Sequence, residues 1–269
     1  MTEVADYHSQ VAVAFDSLAI DYDAVFGRNE IIERFRQRIY ATIDFLVRPP
    51  ARILDINCGT GTDGLYLADA GFSVVGIDLS PRMIAEAVRK SQNVPKARFR
   101  EASYENLEEL DSRSFDLVLS NFGGLNCTSS LSKVAGQVAA RLKPGGYFVA
   151  VIMPPFSLWE TLAYGYRGEF RDAFRRLSKN GTQTQFNGNQ FTVFYYSLRD
   201  VKQACAEEFE VIESYSLNVV SPPPHAWNVA AKHPRLTSFL EKSDSVLCHL
   251  PFYRAIGDHN VVVLRRKTA

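Results

Sequence analysis

The stretch Asp55-Ile-Asn-Cys-Gly-Thr-Gly-Thr-Asp63 sets an acid before a glycine-rich loop, and Asp78 follows further along the chain. Glycines at 59 and 61 let the backbone pass close to a ligand where a side chain would collide. Gly59-x-Gly61-x-x-Gly64 also matches the dinucleotide fingerprint formally, a weak signal by itself. It is compatible with a nicotinamide enzyme, or with glycines that only make a tight turn. Asp55 bears on the choice. A carboxylate there would face a pyrophosphate across a short gap, whereas it suits a cationic ligand. Asp78 closes a second apolar run, where an acid can take both hydroxyls of a ribose, and this fits either kind of cofactor.

These residues need strand ends to hold them. Arg52–Ile56, Phe72–Ile77, Ala97–Arg100, Phe115–Leu119 and Tyr147–Met153 read as short apolar strands. Helical patterns separate them: one through Leu65–Ala68, one opened by Pro81, a charged helix or turn around Glu105–Leu110, and Leu131–Leu142 before Lys143-Pro-Gly-Gly146. Such alternation predicts an α/β fold with a parallel sheet covered on both faces. Val11 to Val47 predicts two or three short helices ending before Pro49–Pro50. Phe191–Tyr196 is a further strand, Leu198–Phe209 a helix, and Phe209–Val220 and Asn260–Leu264 the last strands.

Taken together, the motifs resemble the class I S-adenosylmethionine-dependent methyltransferases of small-molecule type. Ile53-Leu-Asp-Ile-Asn-Cys-Gly-Thr-Gly61 is similar to the family's first motif and Gly76-Ile-Asp-Leu-Ser-Pro-Arg-Met83 to its second. Arg100-Glu-Ala-Ser103, Phe115–Phe122 and Leu142-Lys-Pro-Gly-Gly-Tyr147 resemble three further family features, in order. The resemblance implies a doubly wound, Rossmann-like, seven-stranded, mostly parallel sheet with a final antiparallel strand, plus helical and irregular lid insertions. It implies S-adenosyl-L-methionine as cofactor. Asp55 would lie near its methionine end, Asn57, Gly59, Thr60 and Gly61 would form the loop, and Asp78 would take the ribose. Leu79 and Met83 would sandwich the adenine, Ala102 and Ser103 would reach its edge, and Asn121 and Phe122 would approach the methionine part. Tyr22, in a segment like the family's amino-terminal cap, would reach the cofactor carboxylate. Two positions depart from the common pattern. Asn57 replaces a glycine, and is expected to tolerate left-handed backbone; Gly64 adds one inside the first helical turn.

One domain overall is expected: a helical cap at 1–47, a cofactor-binding core at 48–153, a lid insertion at 154–190, a core continuation at 191–220, a second lid insertion at 221–257 and a closing strand at 258–269. With Phe209–Val220 parallel and Asn260–Leu264 antiparallel, cap and lids converge above the cofactor. Aromatic residues there, among them Phe156, Trp159, Phe170, Phe174, Phe186, Trp227 and Phe252, suggest a pocket for a partly hydrophobic acceptor, though each alone reads as lid packing. Arg167–Lys179 reads as a solvated basic helix face. His259, beside Asp258, is the candidate general base, set against a purely structural role.

Lysine plus arginine number 30, as do aspartate plus glutamate, in 269 residues of which 46% are apolar. No net field draws the protein to nucleic acid or an anionic membrane, and Ser120-Asn-Phe-Gly123 differs from the Asn-Pro-Pro-Tyr of base-methylating enzymes. Four scattered cysteines predict free thiols, no metal site and a reducing, cytoplasmic setting. The expected partner is a small-molecule acceptor, with neither nucleic acid nor membrane. A nicotinamide oxidoreductase and a cofactor-binding, non-catalytic scaffold stand as alternatives.

Overall fold

Apolar runs too short for helices, each followed by turn residues, build the central sheet. The computed structural model describes residues 2–27, 29–110 and 114–268. Helices α1 (Thr2–Asp16), α2 (Tyr22–Phe26) and α3 (Glu30–Leu46) come first. Strands β1 (Arg52–Asp55), β2 (Ser73–Asp78), β3 (Ala97–Glu101), β4 (Phe115–Ser120) and β5 (Leu142–Ile152) then alternate with α4 (Thr62–Asp69), α5 (Pro81–Lys90) and α6 (Leu131–Arg141). The chain continues through α7 (Leu158–Tyr166), α8 (Phe170–Ala173), β6 (Thr182–Phe186), β7 (Asn189–Val193) and α9 (Leu198–Ala204). It ends with β8 (Phe209–Leu217), α10 (Trp227–Lys232), α11 (Pro234–Leu247) and β9 (His259–Arg266).

Seven strands form one sheet in the order β3-β2-β1-β4-β5-β9-β8. The strands β1 to β5 pair in parallel, and β9 runs antiparallel to both β5 and β8. This is the expected doubly wound fold. Successive residues of the central strands point to opposite faces, and both faces are dry. Ile53, Leu117, Leu119, Val149 and Val151 pack beneath Phe35, Ile39 and Ile43 of α3 and Leu67 of α4. Leu54, Val118, Phe148, Ala150 and Ile152 pack against Val134 and Val138 of α6 and Val201 of α9.

Glu105–Leu110 forms turns, one of the two forms expected for it. One local expectation changes. The strand expected from Phe191 to Tyr196 ends at Val193 and belongs to a separate β6–β7 hairpin that packs on α1. Asn187 (φ 48°) and Gly188 (φ 83°) form its two-residue turn. Asn-Gly is the preferred pair for a turn with two positive φ angles, so the signal stood in the sequence inside a stretch read as irregular.

Close packing at the β2–β3 edge is set by Phe99. A Cβ placed on Gly76 would lie 2.5 Å from its ring and 3.0 Å from Cys58. Gly76→Ala is therefore expected to destabilise the protein by about 1–3 kcal/mol. Urea denaturation checks this, and an unchanged midpoint would count against the packing account.

Candidate functional site

The first loop is stitched to strand ends on both sides. Ile56 N donates to Leu119 O (2.9 Å) and Cys58 N to Ile77 O (2.9 Å). Its glycines do different jobs. Gly59 has φ 53°, and a Cβ there would meet nothing within 4 Å, so it opens on the cavity. Gly61, with φ 79°, would strike the Phe99 ring at 2.8 Å and Ala87 at 2.9 Å; Gly64 would approach Phe99 at 3.0 Å. One glycine of the fingerprint serves the cavity, and two serve helix–strand packing.

Asp78 accepts from Gly59 N and from Ser80 N, each at 2.9 Å. Burial raises its carboxyl above the usual range, although backbone N–H groups of Ser80, Gly59 and Leu79 pull the other way. Asp55 lies just beneath the cavity wall, fully buried. One of its oxygens accepts weakly from Asn57 N (3.4 Å), and Oδ2 has no partner among the described residues. Burial, with repulsion from Asp63 and Asp78, pushes Asp55 well above the ordinary carboxylate range. A buried, unpartnered carboxylate oxygen beside two other acids suits a ligand that carries positive charge.

Asn57 keeps negative φ, so its expected left-handed conformation is corrected. Its side chain carries the function instead. Nδ2 donates to Asn121 O (2.7 Å), and Oδ1 accepts from Ser120 Oγ (2.6 Å). The carboxamide thus ties the loop to the end of β4. It also fills the space above Gly124, where a Cβ would lie 2.2 Å from the Asn57 carboxamide carbon.

The residues that sequence reasoning missed form the opposite wall. Asp63 Oδ1 accepts from Arg36 (2.8 Å) and Tyr40 (2.6 Å), and its Oδ2 accepts from Asn121 Nδ2 (3.0 Å). Burial opposes the Arg36 charge, but Asp63 and Tyr40 outweigh it and hold the guanidinium ionised. Arg36 also lies 4.9 Å from the centre of the Phe122 ring. Phe122 itself has φ 48°, a conformation costly for a bulky residue and common at functional turns. No local motif announces Arg36, because its partner lies on a different helix.

One cavity joins these parts. Of the predicted residues, Tyr22, Asn57, Gly59, Thr60, Asp78, Leu79, Met83, Asn121 and Phe122 line it. Asp55 and Gly61 stand behind the wall, as do Ala102, whose N–H donates to Asp78 O, and Ser103, whose hydroxyl accepts from Glu105 N. Val11, Phe15, Arg36, Asp63, Tyr104 and Cys127 are unanticipated wall residues. The cap closes over the cavity through two clamps. Asp16 accepts from the Ser80 hydroxyl and from Arg82 N; Asp23 accepts from Thr60 Oγ and Lys90 Nζ, each at 2.6 Å. Burial pushes the Tyr22 phenol up to about 12.

The lid residues contribute less than their composition suggested. Phe170, Phe174, Trp227 and Phe252 are exposed, and Phe186 packs on Phe15 with ring centres 5.4 Å apart. The reading of Arg167–Lys179 as wholly solvated is corrected at Arg176, which is buried and donates to Glu160 (2.6 Å) and Asp258 (2.9 Å). His259 Nδ1 lies 2.9 Å from Asp258 Oδ2. Its ring meets Phe35 edge-on at 5.1 Å, and Phe35 stacks on Phe122 at 5.4 Å. His259 thus stands one aromatic ring behind the cavity wall.

Removing one member of the buried pair should be costly. Arg36→Met leaves Asp63 charged and under-partnered, with an expected loss of about 3–5 kcal/mol. In a double-mutant cycle with Asp63→Asn, measured by urea denaturation, the two losses should fall well short of adding. Additive losses would refute the coupling.

Residues 53–146 match the family model described as a methyltransferase domain. The chain is 34% identical over 161 residues to a demethylmenaquinone methyltransferase of Beutenbergia cavernae, covering 58% of this chain and 63% of that protein. It is 31% identical over 176 residues to a malonyl-[acyl-carrier protein] O-methyltransferase of Enterobacter lignolyticus, covering 65% and 62%. A solved S-adenosylmethionine-dependent methyltransferase from Mesorhizobium loti shares the fold, with TM-score 0.54 and 18% identity over 84% of this chain and 97% of that one. The chain spans about three-fifths of the length of the curated relatives it matches. These matches are to methyltransferases and not to nicotinamide enzymes. Motif order, sheet order and these likenesses agree on a methyltransferase domain that includes residues 53–146.

Proposed function

We propose that the protein transfers a methyl group from S-adenosyl-L-methionine to a small, partly hydrophobic acceptor. The observation that carries this reading is the orphaned oxygen of Asp55, buried with Asp63 and Asp78 at one cavity. Three acids there would repel a pyrophosphate and welcome a cofactor with cationic ammonium and sulfonium centres.

In this reading Asp78 binds the ribose diol. Leu79 and Met83 enclose the adenine, with Ala102 and Ser103 supporting that edge from behind the wall. Gly59, Thr60 and Gly61 shape the loop, and Asp55 and Asn57 face the methionine end from below. Tyr22 and Arg36 receive the cofactor carboxylate, and Asn121 and Phe122 flank the methionine chain. The bound cofactor supplies an electrophilic methyl group. The protein's own share is to exclude water with the cap and to align the acceptor. His259 is retained as a candidate base. To take a proton from an acceptor in the cavity it needs Phe35 to move, and a fully active His259→Ala variant would remove it from the mechanism.

The acceptor class is in keeping with relatives named for demethylmenaquinone and malonyl-[acyl-carrier protein]. A balanced net charge argues against nucleic acid as acceptor. Four unpaired cysteines fit a cytoplasmic setting, and among the described residues no helix is long and apolar enough to cross a membrane.

Asp78→Ala should weaken cofactor binding by about 10- to 100-fold, the loss of two charge-assisted hydrogen bonds. Calorimetry reads this, and unchanged affinity would refute the placement. Asp55 gives a pH test. Its carboxyl is raised in the free protein, and a cationic ligand favours the ionised form. Affinity should therefore rise with pH above the ordinary carboxylate range, as the raised Asp55 carboxyl ionises, with proton release on binding. The same shift costs stability as pH rises through the folded-state value. Asp55→Asn should abolish this pH dependence, bind cofactor more weakly, and remove the stability loss that the free protein suffers as Asp55 ionises. A flat wild-type profile would remove Asp55 from the site.

A further inference from the structure

The α7–α8 insertion is packed with its charges inward and its apolar side chains outward. Glu160 and Arg176 are 4% and 7% exposed. They pair with each other, and Arg176 continues to Asp258 beside β9. Arg175 reaches Glu160 at 2.8 Å, and the Thr161 hydroxyl donates to Ala173 O. These contacts fix the insertion on the body of the fold. The outer side carries Leu162, Tyr166, Phe170, Phe174 and Leu177, from 49% exposed at Phe174 to 96% at Tyr166. The first four stand four residues apart: Leu162 and Tyr166 lie on α7, Phe170 opens α8 and Phe174 follows it, and the ion network ties α7 to the turn at 175–177.

A buried ion pair adds little net stability, and an outward row of large apolar residues is unfavourable in water. The arrangement therefore favours contact with something apolar. Exposed Arg167, Arg171 and Lys179 are interleaved with the row and outnumber the exposed acids Glu169 and Asp172. Aromatic and aliphatic side chains among basic ones make up the composition of a segment lying in a lipid interface. A second copy of the chain is a poorer occupant, because a two-fold contact would set these cations against themselves.

We propose that this face docks on an anionic lipid bilayer. The segment leaves β5 at the edge where Asn121–Gly124 line the cavity. Docking brings the cavity to the lipid surface and makes the acceptor an amphiphile drawn from it. The acceptor class rests on the methyltransferase reading; the docking does not. It departs from the sequence-based expectation of no membrane partner, which rested on the zero net charge and not on the local cations.

The test is flotation of the full chain with vesicles of phosphatidylglycerol and phosphatidylcholine, against phosphatidylcholine alone. The wild type should float with the anionic vesicles. Tyr166→Ser/Phe170→Ser/Phe174→Ser and Arg167→Glu/Arg171→Glu should each bind at least about tenfold more weakly, with unchanged thermal midpoint and cofactor affinity. No flotation, or flotation that both variants retain, overturns the proposal. A dimer seen by light scattering and lost in the variants, without vesicle binding, assigns the face to a second copy and also overturns it. Flotation without cofactor binding would sink the methyltransferase reading and leave the docking standing, whereas cofactor binding without flotation does the reverse.

Discussion

Asp63 and Asp78 lie close enough to Asp55 to raise its cost of ionisation, in a site from which water is largely excluded. Each is relieved in a different way. Asp63 takes the Arg36 guanidinium, the Tyr40 hydroxyl and the Asn121 amide. Asp78 takes backbone N–H groups, and Asp55 keeps an oxygen without a partner. Much of the surrounding architecture follows from this arrangement. Helix α3 has to deliver Arg36 and Tyr40 to the start of α4, which fixes the cap against the sheet. The Asn121 side chain, held by Asp63 and donated to by Phe122 N, sets the strained turn after β4. Electrostatic balance and backbone geometry at the cavity are one problem here.

The order of strands was legible because the chemistry of a two-sided buried sheet leaves apolar runs bounded by turn residues, and because acids and glycines occur at fixed places on strand ends. Asp78, Leu79 and Met83 line the cavity for that reason. Arg36 was not legible. Its meaning comes from Asp63, and only the folded chain brings α3 to α4. Asn57 read as a backbone substitute for glycine, yet its work is done by its amide, whose partners on Ser120 and Asn121 are remote in sequence.

The lid blocks show the converse failure. Their aromatic composition suggested an inward pocket, and composition carries no direction. Phe170, Phe174, Trp227 and Phe252 face out, while Glu160 and Arg176 face in. An ion pair formed across sixteen residues, with a third member at Asp258, decided the orientation. Helical periodicity could not, since it finds an apolar stripe but not which side meets the protein.

Phe99 carries a last consequence. Its ring stands where Gly61, Gly64 and Gly76 would each otherwise bear a Cβ, so these four positions are sterically coupled. A shorter side chain at 99 would ease Gly64 most, whereas Gly61 would keep its positive φ and the Ala87 contact, and Gly76 would keep Cys58 at 3.0 Å. In this chain the familiar spacing of glycines after the first strand records the shape of an aromatic ring on β3 more than the shape of a nucleotide.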